Sequence, residues 1–430
     1  MEYDPQHLID FLYEAPTASH QVQKWSNKLK KANFEELTSE TQWDLKIGGK
    51  YFIKKHHTAL VAFKIGSADL KTNGLKIIAA HTDSPSFRIK ANPEMVVENR
   101  YLKLNTEMYG SAISYSWFDR PLSIAGQVAI KTEHPLKPRI ELLHVNRPLL
   151  TIPSVAIHLN PEVNKKFEVN HQKDTLPLLT LVSDTFQKEG YLQKLLAKKL
   201  NVSEEDILSF DLELCAQEKG TLLGLENEFL QAQGLDDKWM VYAAMQNLMN
   251  NDNLENTQMA ICFDNEEIGS LTAQGAQSTF MMHILNQLLD TLGLSSLDIH
   301  EILEQSICLS ADLAHGLHPN AVELYDPTNH PILGDGPVLK VAASGSYSTD
   351  ATGAAIFKSL CEKANVPFQT LYNRSDKRGG TTIGPITAAA LSLRVIDMGA
   401  PLLSMHAIKE LGAVRDHEYI MKLFHTFYTI

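Results

Sequence analysis

Five residues of this 430-residue chain, His81, Asp236, Glu267, Asp312 and His406, have side chains suited to holding divalent metal. They offer imidazole nitrogens and carboxylate oxygens, the donors that zinc-type cations take, with manganese or cobalt as alternatives. So many anionic ligands suit two ions sharing a bridging carboxylate better than one ion. Asp236 is the expected bridge, because it opens a helical pattern where its second oxygen is free. Asp83, two residues after His81, is placed to accept the proton of the non-ligating ring nitrogen and so fix the tautomer. Glu266 precedes Glu267, and neighbouring side chains point in different directions. One of the pair can bind metal while the other faces water as general base for attack on an amide carbonyl.

The elements that must carry these groups are short apolar runs ending in ionisable residues. Leu75 to Ala80 reads as a strand buried on both faces and runs into His81-Thr82-Asp83-Ser84-Pro85, where the proline ends pairing. Gln258 to Phe263 ends in Asp264-Asn265-Glu266-Glu267, and Ser306 to Ser310 leads to Asp312. Leu402 to Met405 is expected to be a fourth such strand, ending at His406. Helical patterns at Asp237 to Met249 and Phe280 to Leu292 lie between them. Strands alternating with helices imply an α/β fold with a mostly parallel sheet sandwiched by helices. In such sheets ligands bind beyond the carboxyl ends of the strands, where all these ionisable groups emerge.

From about residue 92 to 224 the rhythm changes. Tyr101 to Leu104, Ile124 to Ile130, Arg139 to Val145 and Ser154 to Leu159 read as antiparallel strands. The chain is therefore divided into a catalytic domain, 1–91 and 225–430, and an inserted β-rich domain, 92–224. A net charge of −12 argues against a nucleic-acid partner. No stretch is long and uncharged enough to span a bilayer, and the first ten residues lack the basic start and apolar run of a secretory signal. The four cysteines are widely spaced without a CxxC pair, which fits a reducing cytoplasm.

Taken singly these signals are weak. An adjacent Glu pair is by default a solvated turn, His315 and His318 are more simply donors in a turn than ligands of a third metal, and His158 is by default a hydrogen-bonded strand histidine. Gly379 to Ile386 reads as a glycine-bracketed turn opening a helix and matches no nucleotide-binding loop. The recurrence of charge at the ends of buried strands is what lifts the set, because charge there needs a reason.

The motifs HTDSP, GLDD, DNEEIGS, SADLAHGLHPN, GTTIGPI and SMHAIKE, in this order, resemble those of the aspartyl aminopeptidase family of two-metal exopeptidases. RPLLTIPSVAIHLN within the insert is similar to that family as well. The resemblance implies zinc-exopeptidase-like architecture and two metal ions per subunit, with His81 and Asp312 on one, Glu267 and His406 on the other, and Asp236 bridging. It implies that Glu266 is the general base, that His315, Lys340 and Tyr347 line the substrate pocket, and that His158 reaches a neighbouring subunit's active site. It further implies a homododecamer built from dimers made through the insert. Asp237 departs from the asparagine common at that position.

The expected function is release of one N-terminal residue, preferentially Asp or Glu, from unblocked peptides, with Lys340 as counter-charge. The rivals are a two-metal aminopeptidase with neutral, leucine-like preference, a self-assembling structural protein without turnover, and, as a minor one, a deacetylase or carboxypeptidase.

Overall fold

The computed structural model describes residues 3–38, 42–182, 190–295, 297–377 and 379–430. They form a mixed α/β fold divided into two compact units.

The first unit comprises Met1–Ser84, Gly220–Met405 and Glu410–Ile430. Its frame is a nine-stranded sheet in the order Glu35–Glu36, Lys50–Lys55, Ala59–Lys64, Thr257–Phe263, Leu75–His81, Ile307–Ala311, Arg394–Gly399, Val338–Lys340 and Gln369–Leu371. The four strands from Thr257–Phe263 to Arg394–Gly399 are parallel, so three of the expected site-bearing strands end on the same edge. Their period of two splits the core between the faces. Ile78 and Ala80 pack among the helices Pro5–Glu14, Ala18–Lys31, Leu235–Asn250 and Val414–Thr429. Ile77 and Ala79 pack against Phe280–Thr291, Asp298–Gln305 and Ile383–Leu391. This two-sided burial is why the strands read as continuous apolar runs.

One expectation about this sheet changes. Leu402 to Met405 is not a strand of it: Pro401–Leu402 pairs in parallel with Ala314–His315 in a separate two-stranded sheet, and Leu403 makes an isolated antiparallel bridge with Leu411. The strand preceding it, Arg394–Gly399, takes the place in the large sheet. Its apolar pattern is interrupted by Asp397, which is fully buried because the Thr382 hydroxyl and the Ser348 N–H donate to its carboxylate, a compensation that hydropathy does not register.

The second unit comprises Pro85–Lys219 with His406–Lys409. It begins at Pro85 rather than 92 because one continuous strand occupies Ser86–Val97. Six strands form a sheet in the order Arg139–His144, Leu122–Ile130, Ile207–Ala216, Ser86–Val97, Tyr101–Tyr109 and Leu178–Leu181, with every pairing antiparallel. Leu192 and Leu196 of the Tyr191–Leu200 helix join Phe87, Trp117, Ile124 and Leu212 in its core. Ser154 to Leu159 is a loop and turn rather than a strand. It exposes Val155, Ile157 and Leu159 together with His158, which explains an apolar run that pairs with nothing in the sheet.

Candidate metal and active site

His81 is the last residue of its strand and is almost completely buried. Its Nδ1 lies 3.3 Å from Asp83 Oδ1 and 3.1 Å from the Asp83 carbonyl oxygen, the contacts expected of a group that orients the ring. Its Nε2 points the other way, 3.7 Å from Asp236 Oδ1 and 4.0 Å from Glu266 Oε2.

The Asp83 carboxylate also accepts the backbone N–H of Glu266 and of Glu267, each at 3.1 Å. Those two residues occupy a single 3-10 turn, entered at Asn265 with φ +63° and left at Gly269 with φ +96°. Left-handed backbone at both ends makes the turn tight, and it follows directly on the strand that ends at Phe263. Asp83 therefore ties two strand ends together.

Asp236 opens the Leu235–Asn250 helix with non-helical φ/ψ, and its peptide bond to Asp237 is cis. Its N–H donates to Glu410 Oε2 at 3.0 Å, and its carbonyl accepts from Ser84 Oγ at 2.6 Å. Asp237 Oδ2 accepts the His81 N–H at 3.0 Å. Asp312 follows the Ile307–Ala311 strand, and its Oδ1 lies 3.3 Å from Lys340 Nζ. Lys340 ends its own strand, is buried, and sits 5.6 Å from the ring centre of Tyr347.

One donor atom each from His81, Asp236, Asp237 and Asp312 all lie within 4.8 Å of one another, as do those of His81, Glu266 and Glu267. Asp236 and Glu267 also come within that distance. The electrostatics follow from crowding. Burial pushes the Glu266 carboxyl up to about 8; His81 opposes this, and Asp312, Asp83 and Asp236 reinforce it. Burial raises Asp237 well above the carboxylate range, and it raises Asp312 against the pull of Lys340. Burial alone would lower the His81 pKa, but Asp237, Asp83 and Glu266 hold it well above the usual value. An imidazole and several buried carboxylates, with more negative charge than His81 and Lys340 offset, fit divalent cations both in donor chemistry and in charge.

His315 ends the Ala314–His315 strand in the first unit and is exposed. His406 and His158 belong to the second unit. His406 has φ +68°, and its Nδ1 lies 3.1 Å from the Ser111 carbonyl oxygen. His158 stands exposed in its turn. Glu410 and Ser84, which hold the Asp236 backbone, were not singled out from the sequence. Their only signal in sequence is membership of SMHAIKE, which Glu410 closes, and of HTDSP, where Ser84 stands before the proline, and both read as ordinary polar residues.

The sequence model described as aminopeptidase I zinc metalloprotease (M18) matches residues 11–428. The chain is 47% identical over 423 residues to the probable M18 family aminopeptidase 2 of Clostridium novyi, covering 98% of each chain. It is 36% identical over 445 residues to aspartyl aminopeptidase 1 of Schizosaccharomyces pombe, covering 98% of this chain and 93% of that one. Among solved structures, the S. cerevisiae mApe1 dodecamer superposes with a TM-score of 0.86 at 28% identity, over 98% of this chain and 95% of that one.

Proposed function

The chain belongs to the M18 family of aminopeptidase I zinc metalloproteases and is a metallo-aminopeptidase, and from that premise we propose that it releases a single N-terminal Asp or Glu from unblocked peptides. The observation that carries the acidic preference is Lys340, a cation buried at the rim of the carboxylate cluster beside Tyr347. A buried ammonium can meet an acidic side chain in a setting where little water screens the attraction.

We assign two divalent ions, zinc first and manganese or cobalt as substitutes. His81 and Asp312 would hold one, Glu267 and His406 the other, and Asp236 both. When bound, the ions supply Lewis acidity toward the scissile carbonyl and acidify the attacking water. Glu266 takes the proton from that water and returns it to the departing amine. Asp83 keeps the His81 ring in its ligating orientation. His315 and Tyr347 line the substrate side, and His158 from a neighbouring subunit helps hold the substrate or the developing oxyanion. The assembly that would bring His158 there is a homododecamer built from dimers made through the second unit, a state supported by the yeast mApe1 dodecamer. The compartment that fits is the cytoplasm, since the four cysteines are free and buried.

One observation favours a neutral, leucine-like preference as the second reading: Lys340 already pairs with Asp312. The deciding experiment measures hydrolysis of peptides beginning with Asp, Glu, Leu and Ala by metal-stripped protein, before and after restoring zinc, manganese or cobalt. Metal-dependent release led by Asp and Glu, lost selectively in Lys340→Ala, supports the proposal. Metal-dependent release led by Leu, with equal losses in the variant, replaces it by the second reading.

A further inference from the structure

The carboxylate cluster is held from outside by a short stretch near the N-terminus. Gln21, on the Ala18–Lys31 helix, is completely buried, and its Nε2 donates to the carbonyl oxygen of Thr82 at 2.8 Å. Thr82 lies between His81 and Asp83. Its N–H donates to the Phe263 carbonyl oxygen at 2.8 Å, and its hydroxyl reaches the Thr58 and Phe263 carbonyl oxygens at 2.8 and 3.0 Å.

The carbonyl that Gln21 holds belongs to the peptide plane from which Asp83 projects. Rotation of that plane would turn Asp83 away from His81 Nδ1 and from the N–H groups of Glu266 and Glu267 together. A second tie runs from the same stretch to the other side of the cluster: the buried Lys238, two residues after Asp236, donates from Nζ to the Pro16 carbonyl oxygen at 2.5 Å. Burying an amide and an ammonium is costly unless each is hydrogen-bonded. Both here spend their bonds on backbone carbonyls that link residues 16–21 to segments bearing proposed ligands.

We propose that Gln21 is a positioning residue for the metal centre, acting through the Thr82 carbonyl and Asp83, with Lys238 and Pro16 as the matching brace on the Asp236 side. This rests on His81 being a metal ligand.

The test uses the full-length protein carrying Gln21→Met, which keeps length and apolar bulk but removes the donor, alongside Lys238→Met and a His81→Ala control. Cobalt affinity is measured by competition with a chelator, and the visible absorption of the cobalt-loaded protein reports ligand geometry independently of turnover. Loss of one group that orients a metal ligand weakens binding by about 10–100-fold. Gln21→Met is therefore expected to bind cobalt more weakly by that amount, with a shifted spectrum, while remaining folded by circular dichroism.

If Gln21→Met is less stable to heat yet binds cobalt with unchanged affinity and spectrum, the residue is only a packing element and the proposal fails. Should it not fold, Lys238→Met carries the same measurement, and unchanged cobalt binding there overturns the brace. If His81→Ala itself binds cobalt like the parent, the fault lies with the ligand assignment rather than with Gln21.

Discussion

Glu266→Gln keeps the shape of the side chain and removes its ability to take a proton, so it separates proton transfer from folding. The expected outcome is a fall in kcat of about 10²–10⁴-fold, the usual contribution of a positioned general base, with metal content unchanged. Retained turnover would remove Glu266 from the chemistry. The raised pKa of Glu266, about 8, arises first from burial. Bound divalent cations would add positive charge to that surrounding and favour the ionised form the reaction needs. His417 offers a titration away from the site. It is buried, and its Nδ1 accepts the Trp239 Nε1–H at 2.9 Å. Burial lowers its pKa from 6.5 to about 4, against a small raising effect of Asp4. Between those values the unfolded chain binds a proton that the folded one does not, so this contribution is complete above pH 6.5 and is lost as pH falls toward 4. Each unit in that window costs about 1.4 kcal/mol. Urea unfolding at pH 7, 6 and 5 should show the decline, and His417→Phe should flatten it.

At the scale of elements, the parallel strands ending at His81, Phe263 and Ala311 present the proposed ligands on one edge, and the Arg394–Gly399 strand closes the set. Gly399 is placed so that a Cβ would run into the carbonyl oxygen of Asp312. Because backbone rather than a flexible side chain stands there, Gly399→Ala must move the strand end that carries Asp312. Overpacking of this kind costs about 1–3 kcal/mol. A lowered thermal midpoint together with weakened metal binding is expected, and a variant with parental affinity would show that Asp312 tolerates the shift. The alternating burial of Ile77, Ile78, Ala79 and Ala80 was readable as a two-sided strand. Arg394–Gly399 was not, because a buried aspartate satisfied by Thr382 and Ser348 looks polar in sequence.

For the whole molecule, metal binding and assembly are the measurable properties. Ligand that binds only the folded state stabilises it by mass action, about 4 kcal/mol at a thousand-fold excess over Kd. Chelation should accordingly lower the thermal midpoint and abolish hydrolysis, with both restored by zinc. Light scattering is expected to report twelve chain masses. His158→Ala should then depress kcat/KM in particles of unchanged size, since the side chain stands exposed on the single chain. Loss of activity only on dissociation of the particle would assign the effect to assembly instead.

Types and spacing along the chain determined that charge gathers where buried strands end, and they singled out His81, Asp236, Glu266, Glu267 and Asp312, which the tertiary structure brings together. That much is local in each segment and gains weight by recurrence, because charge repeated at the ends of buried strands needs a reason to be there. Only the tertiary structure decided that Asp83 serves both His81 and the Glu266–Glu267 turn, that Lys340 pairs with Asp312, and that Gln21 and Glu410 hold the backbone at Thr82 and Asp236 beside the proposed ligands. The contacts of Asp83 with the Glu266–Glu267 turn, of Gln21 and of Glu410 run through backbone groups that every residue shares, and Lys340 meets Asp312 only because two separate strands converge, so no pattern of side-chain types records them.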